Sequence, residues 1–129
     1  IADLDEMQFL MRTPYEARLA AYDRDRKYIV VGSKGDDPFS EHNLLHEFGH
    51  ATGDLLLLNE HEVLVSLHRD VDRWLALPWW VRGLRPGDGS GCRETLAESF
   101  RDRILGREHA LLRYGASYIG WLEQELYLS

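Results

Sequence analysis

The chain has 129 residues, of which 29% are charged and 44% are hydrophobic, and these proportions are ordinary for a globular protein. We expect residues 1–129 to form a single domain. The net charge of −7 disfavours a nucleic-acid partner, because affinity for the phosphate backbone comes largely from basic groups. The apolar runs, such as residues 55–58, are too short to span a bilayer. The single cysteine, Cys92, excludes an internal disulfide and is expected to be a small buried hydrophobe.

The first part of the chain predicts a β-hairpin. Residues 19–22 and 27–32 are expected to be its two strands, and residues 23–26 the turn between them. Three consecutive β-branched residues in the second strand favour this assignment. Residues 1–18 have an ambiguous pattern that is compatible with one short helix. The chain begins at Ile1, without a methionine and without a signal-peptide pattern, so we interpret it as a piece of a longer protein.

Two helical segments are predicted in the middle of the chain. Residues 43–52 have the pattern of a helix that Ser40 caps and that stops near Gly53. Residues 59–77 carry apolar side chains at spacings of three and four, which indicates a second, longer helix. Pro78 is expected to end that second helix.

The C-terminal part predicts a loop and further helices. Trp79 and Trp80 follow the proline and are expected to lie partly in the core, with some of their surface lining a substrate cleft. Residues 85–92 are rich in glycine and predict a loop. Helices are predicted at residues 93–105 and 116–128, with a shorter helical piece between them.

The segment "NLLHEFGHATGD" carries the strongest functional signal, since it places two histidines four residues apart with a glutamate after the first. On a helix, His46 and His50 stand one above the other on the same face, where both imidazoles can bind one Zn²⁺. Glu47 then flanks the metal and is placed to accept a proton from the attacking water. The neighbouring side chains are mostly apolar, and a bound metal would satisfy polar groups in such surroundings.

A catalytic zinc usually has a third protein ligand. His42 is excluded because, at 1.5 Å per helical residue, it lies about 12 Å along the axis from His50. The third-histidine position of the metzincin pattern is occupied by Leu56, which excludes that class. The remaining candidates are Glu94 and Glu98, which lie four apart in "CRETLAESF", where the other positions after Glu94 are apolar or small. In such an arrangement the first carboxylate binds the metal and the second can hold a histidine ligand by a hydrogen bond.

The segments "LLHEFGHATGD" and "ETLAESF" together resemble the catalytic domain of the anthrax lethal factor type, a branch of the gluzincin peptidases. The resemblance implies that His46, His50 and Glu94 bind zinc, that Glu47 is the general base, and that Glu98 supports a ligand from behind. "ETLAES" and "SYIGWL" are also similar to the metallopeptidase domain of polyvalent, antirestriction-type proteins. Both relatives imply the same ligand scheme.

One departure from the lethal factor pattern concerns the oxyanion. That family carries a tyrosine shortly before the third ligand, whereas this chain has "RPGDGSGCR" there. The candidates to stabilise the oxyanion instead are Tyr118, Tyr114 and His109. Of these, Tyr118 lies in the stretch shared with the polyvalent proteins. His61 and His68 are expected to be solvated or hydrogen-bonded rather than metal-binding.

These observations predict an α+β, zincin-like fold in which a twisted sheet includes the hairpin and the strand at residues 27–31 borders the substrate groove. The expected function is zinc-dependent hydrolysis of a peptide bond in a protein or peptide substrate. The lethal factor resemblance implies a secreted or delivered toxin or effector, for which an immunity or inhibitor protein would be a partner. The alternative is a non-catalytic, acidic, DNA-mimicking or partner-binding antirestriction domain with a structural zinc.

Overall fold

The computed structural model describes residues 20–31 and 41–128. The described residues are mostly helical, with one small antiparallel sheet, so the fold is α+β in the broad sense predicted. The tentative helix in residues 1–18 and the Ser40 cap lie outside the described residues. In chain order, the elements are β1 (Ala20–Asp23), β2 (Tyr28–Val31), α1 (Glu41–Leu55), α2 (Glu62–Arg69), α3 (Val71–Ala76), α4 (Trp79–Arg82), α5 (Gly89–Leu105), α6 (Arg107–Tyr114) and α7 (Ala116–Glu125).

The hairpin is present, but its turn lies one residue later than predicted. Asp23 pairs with Tyr28 as the last pair of the ladder. The Asp23 carboxylate accepts a hydrogen bond from the Arg26 amide, and its carbonyl oxygen accepts one from the Lys27 amide at 2.8 Å. Asp23 therefore closes the turn from its own position at the end of β1, as aspartate often does.

Helix α1 packs closely against α5, and two glycines allow this approach. A Cβ atom on Gly49 would lie 2.6 Å from the Cα of Ala97, and one on Gly53 would lie 2.5 Å from a methyl carbon of Leu96. Gly53 does not end the helix, which continues to Leu55. The chain instead reverses at Leu57, whose φ of 57° is the left-handed conformation usually taken by glycine.

The long helix predicted for residues 59–77 is divided into α2 and α3 at Asp70. The backbone of Asp70 is extended, with φ −73° and ψ 107°. Its carboxylate accepts hydrogen bonds from the amides of Asp72 and Arg73, which caps α3. The predicted single helix was therefore wrong, because an aspartate side chain that bonds to nearby amides competes with continuation of the helix.

The hydrophobic core lies between α5 and the helices around it. Its fully buried members include Leu64, Val81, Leu96, Ile119 and Leu122. Cys92 is also buried, as predicted. No described helix combines the length and the apolar character that a membrane span requires.

Trp79 and Trp80 do not belong to the core, contrary to the prediction. Their side chains are 75% and 55% exposed, and the two rings contact each other edge to face. They lie in α4, a four-residue helix that the sequence pattern did not indicate. The predicted loop also ends earlier than expected, because Asp88 caps α5 and the helix begins at Gly89 rather than at residue 93.

Candidate metal centre

The two histidines of α1 and the first glutamate of α5 converge. The Nε2 atom of His46 lies 3.0 Å from one carboxylate oxygen of Glu94, and the Nε2 atom of His50 lies 3.1 Å from the other. The two imidazole rings stand nearly perpendicular, with centroids 4.7 Å apart. The side chains of the two histidines are 16% and 17% exposed and that of Glu94 is 41% exposed, so the cluster is partly covered and still accessible to solvent.

These separations fit a shared tetrahedral metal ion. Ligand atoms held at 2.0–2.1 Å from Zn²⁺ lie roughly 3.3 Å from one another. The distances from the two Nε2 atoms to Glu94, 3.0 and 3.1 Å, are close to that value, and each goes to a different carboxylate oxygen. Glu47 also lies at the cluster, since His46, Glu47 and His50 each place one ligand-type atom within 4.8 Å of the others. The donor set of two imidazoles and a carboxylate suits zinc.

Glu98 lies behind the first histidine, on the side away from Glu94. One of its carboxylate oxygens is 2.7 Å from the Nδ1 atom of His46. The pair is a close ion contact rather than a well-aligned hydrogen bond. Glu98 is 3% exposed. A carboxylate at Nδ1 keeps the proton on that nitrogen and leaves Nε2 free to bind a cation, which is the usual arrangement behind a metal-binding histidine.

The pKa values at the cluster show what kind of charge the site favours. Burial by itself would lower the pKa of His46, but the carboxylates of Glu94 and Glu98 outweigh burial and raise this pKa to about 9. Burial would raise the pKa of Glu94, but the two histidines hold it well below its usual range. The carboxylates thus favour positive charge on the His46 imidazole, and a divalent cation satisfies the same preference.

Glu47 lies between the two histidines and the hairpin. Its Oε2 atom accepts a hydrogen bond of 2.8 Å from the backbone amide of Tyr22 in β1. Because this amide bonds to Glu47 rather than to β2, the outer edge of β1 faces α1. The strand that bonds to Glu47 is therefore β1, whereas the prediction that residues 27–31 border a substrate groove stays a prediction. Burial raises the pKa of Glu47, and the nearby histidines partly offset this effect.

Asp54 anchors the hairpin to the C-terminal end of α1, and the sequence reasoning missed this role. Its carboxylate accepts a hydrogen bond of 2.8 Å from the hydroxyl of Tyr22 and forms ion pairs with Lys27 and Arg24. Burial and then the Asp54 carboxylate raise the pKa of Tyr22 to about 12, so the phenol stays protonated and donates. Asp54 follows His50 by four residues, and this spacing was the available signal that it shares their helix face.

The candidates for an oxyanion stabiliser lie elsewhere. Tyr118 is 3% exposed in the core, where its hydroxyl and that of Ser99 are 2.7 Å apart. Tyr114 is also buried and donates a hydrogen bond to Asp102. His109 is exposed on α6. The structure brings none of these three side chains into contact with the histidines of α1, and a substrate cannot reach a buried hydroxyl.

The histidine that caps α2 and the one within it are both hydrogen-bonded, in agreement with the prediction. His61 caps this helix, because its Nδ1 atom accepts a hydrogen bond from the Val63 amide. His68 is fully buried, with its Nε2 atom 2.7 Å from the hydroxyl of Thr95. Neither histidine belongs to the cluster on α1.

Compared with known protein families, with curated proteins and with solved structures, the chain matches none.

Proposed function

We propose that the chain is a zinc-dependent endopeptidase. The observation that carries the proposal is the convergence of the His46 and His50 Nε2 atoms on the two oxygens of Glu94, at 3.0 and 3.1 Å. A glutamate that is not needed as a ligand, Glu47, lies beside them and is held by the backbone of a strand. Three ligands, a base and a solvent-open side are the elements of a hydrolytic zinc centre.

Each residue at the metal centre then has a defined role. His46, His50 and Glu94 hold the ion, which when bound would polarise the scissile carbonyl and lower the pKa of the attacking water towards about 7. The Tyr22 amide holds Oε2 of Glu47, so Oε1 takes the proton from the water. Glu47 then delivers that proton to the leaving amine. Burial raises the pKa of Glu47 towards neutral pH, which suits a group that both accepts and returns a proton.

The arrangement of elements also supports the interpretation of the fold as zincin-like. A helix with both histidines lies beneath a strand edge, and a second helix supplies the third ligand. The outer edge of β1 uses its Tyr22 amide to hold Glu47, so this edge of the sheet positions the proposed base. The role of a toxin or effector, which the lethal factor resemblance implies, stays a prediction.

The alternative function is a partner-binding domain in which the same residues hold a structural zinc. One observation favours it, namely that the hydroxyls of three described tyrosines are engaged in hydrogen bonds away from the two histidines. Those of Tyr22, Tyr114 and Tyr118 bond to Asp54, Asp102 and Ser99 respectively. The partly buried, strand-held position of Glu47 favours the peptidase instead, because a structural site does not need a general base.

The deciding experiment replaces Glu47 by glutamine, which keeps the shape of the side chain and removes the base. Glu108→Gln is the matched control, because Glu108 is exposed on α6. Both variants and the native chain are loaded with zinc, their metal content is measured by elemental analysis, and they are incubated with a quenched fluorescent peptide library.

We expect Glu47→Gln to fold, to keep its zinc and to lose peptide hydrolysis by about 10²–10⁴-fold, while Glu108→Gln is unchanged. Equal cleavage by Glu47→Gln and the native chain would refute the mechanism. A zinc-loaded native chain that cleaves nothing would instead support the structural-zinc alternative.

A further inference from the structure

A series of contacts between charged side chains connects the metal centre to residues further along α5. The Glu98 carboxylate that contacts Nδ1 of His46 through one oxygen accepts a hydrogen bond from the Arg101 guanidinium through the other, at 2.5 Å. The same nitrogen of Arg101 lies 3.1 Å from the carboxylate of Asp102. Arg101 is therefore shared between two carboxylates, of which one touches the metal centre.

The far end of this series of contacts is tied to α6. The second carboxylate oxygen of Asp102 accepts hydrogen bonds from the hydroxyl of Tyr114 at 2.8 Å and from the guanidinium of Arg113 at 3.0 Å. Asp102 is 6% exposed and Tyr114 is 1% exposed. The orientation of Arg101 is thus fixed by groups on a helix that contributes no residue to the metal centre itself.

Burial makes both partners of Glu98 necessary. Its side chain is 4% exposed, and that of Arg101 is 18% exposed. A buried carboxylate with a missing partner is strongly disfavoured and moves or takes up another contact. The planar guanidinium group can hold Glu98 and Asp102 at once, whereas an ammonium group presents no such fork.

We propose that Arg101 is a positioning residue of the metal centre. It holds the Glu98 carboxylate against Nδ1 of His46, and Glu98 in turn fixes the imidazole ring so that Nε2 points at the ion. The inference rests on the proposed function, and it adds a residue that touches neither the ion nor the substrate. Substitution of a residue that holds a metal-binding histidine typically lowers metal affinity by about 10–100-fold. Arg101 acts one contact further away from the ion.

The test compares Arg101→Met with Arg103→Met. The control removes an arginine from the same helix that is as well covered, with its side chain 13% exposed, but that pairs with Glu123 on α7 rather than with Glu98. Zinc affinity is measured by competition with a chromophoric chelator. The ring nitrogens of His46 are observed by NMR in protein labelled with ¹⁵N-histidine, before zinc is added, and melting temperatures record any general loss of stability.

We expect Arg101→Met to weaken zinc binding by about tenfold and to shift or broaden the Nδ1–H signal of His46. Arg103→Met should lower the melting temperature and change neither reading. Arg101→Lys keeps the charge without the fork, so it should recover only part of the affinity, and it decides the question if Arg101→Met does not fold.

Unchanged affinity and an unchanged His46 signal in the Arg101 variants would overturn the proposal, as would an equal loss of affinity in Arg103→Met. If the native chain binds no zinc, the proposed function fails. The His46 signal then still shows whether Arg101 orients this ring through Glu98.

Discussion

The packing of α1 on α5 predicts that Gly49→Ala, a change between the two histidines, destabilises the protein. A Cβ atom at Gly49 would lie 2.6 Å from Cα and 2.8 Å from the carbonyl oxygen of Ala97. Ordinary carbon contacts are about 3.5–4.0 Å, so the two helices must move apart by about 1 Å. Overpacking of this kind costs about 1–3 kcal/mol, and the higher helix propensity of alanine returns up to about 1 kcal/mol.

The net expectation for Gly49→Ala is a loss of up to about 2 kcal/mol. With an unfolding entropy of about 2.1 cal/mol/K per residue, the melting temperature should fall by up to about 7 °C. Zinc affinity should fall as well, because Glu94 and the histidines belong to the two helices that separate. Circular dichroism melts and chelator competition measure the two effects.

Gly120→Ala is the matched control, because Gly120 lies on the exposed side of α7 and an added Cβ would meet no atom within 4 Å. This substitution should raise the melting temperature, since only the gain in helix propensity remains. If Gly49→Ala is as stable as Gly120→Ala, the close approach of the two helices is not what holds the centre together, and the packing argument fails.

Three further predictions concern the centre and its surroundings. Glu94→Ala should remove most zinc affinity and Glu98→Ala should weaken it by about 10–100-fold, and a zinc titration in the reverse order would exchange their roles. Asp54→Ala should cost about 1–3 kcal/mol by releasing the hairpin and should reduce hydrolysis at unchanged zinc content, whereas zinc loss would contradict this. Burial lowers the pKa of His68, so the unfolded chain binds its proton first and stability should fall as pH drops below about 6.5. Denaturant melts at several pH values should show a weaker fall in His68→Gln.

Sequence spacing by itself determined which side chains share a face of one helix. The four-residue interval puts His46 and His50 on one side of α1 because a helical turn has 3.6 residues, and the same rule aligns Glu94 with Glu98 on α5. The hairpin was predictable for a similar reason, since local turn chemistry and β-branched residues decide it. Each of these features depends on residues a few positions apart.

Helix boundaries were less predictable because they depend on competing hydrogen bonds. Periodicity carried the second predicted helix through Asp70, where the carboxylate caps α3 instead. Gly53 looked like a helix end, but its missing side chain serves the contact with Leu96 and the helix ends beyond it. In both cases one residue type allows two local outcomes, and the packing of neighbouring elements selects one.

Contacts between distant segments were decided by the tertiary structure alone. The amide of Tyr22 and the carboxylate of Glu47 are 25 residues apart, and neither position shows a pattern that pairs them. The burial of Tyr118, which takes its hydroxyl away from a substrate, follows from the assembled core. The attachment of Arg101 to the metal centre likewise depends on how α1, α5 and α6 meet. Spacing acts within an element, whereas these contacts arise only when burial of apolar faces fixes one element against another.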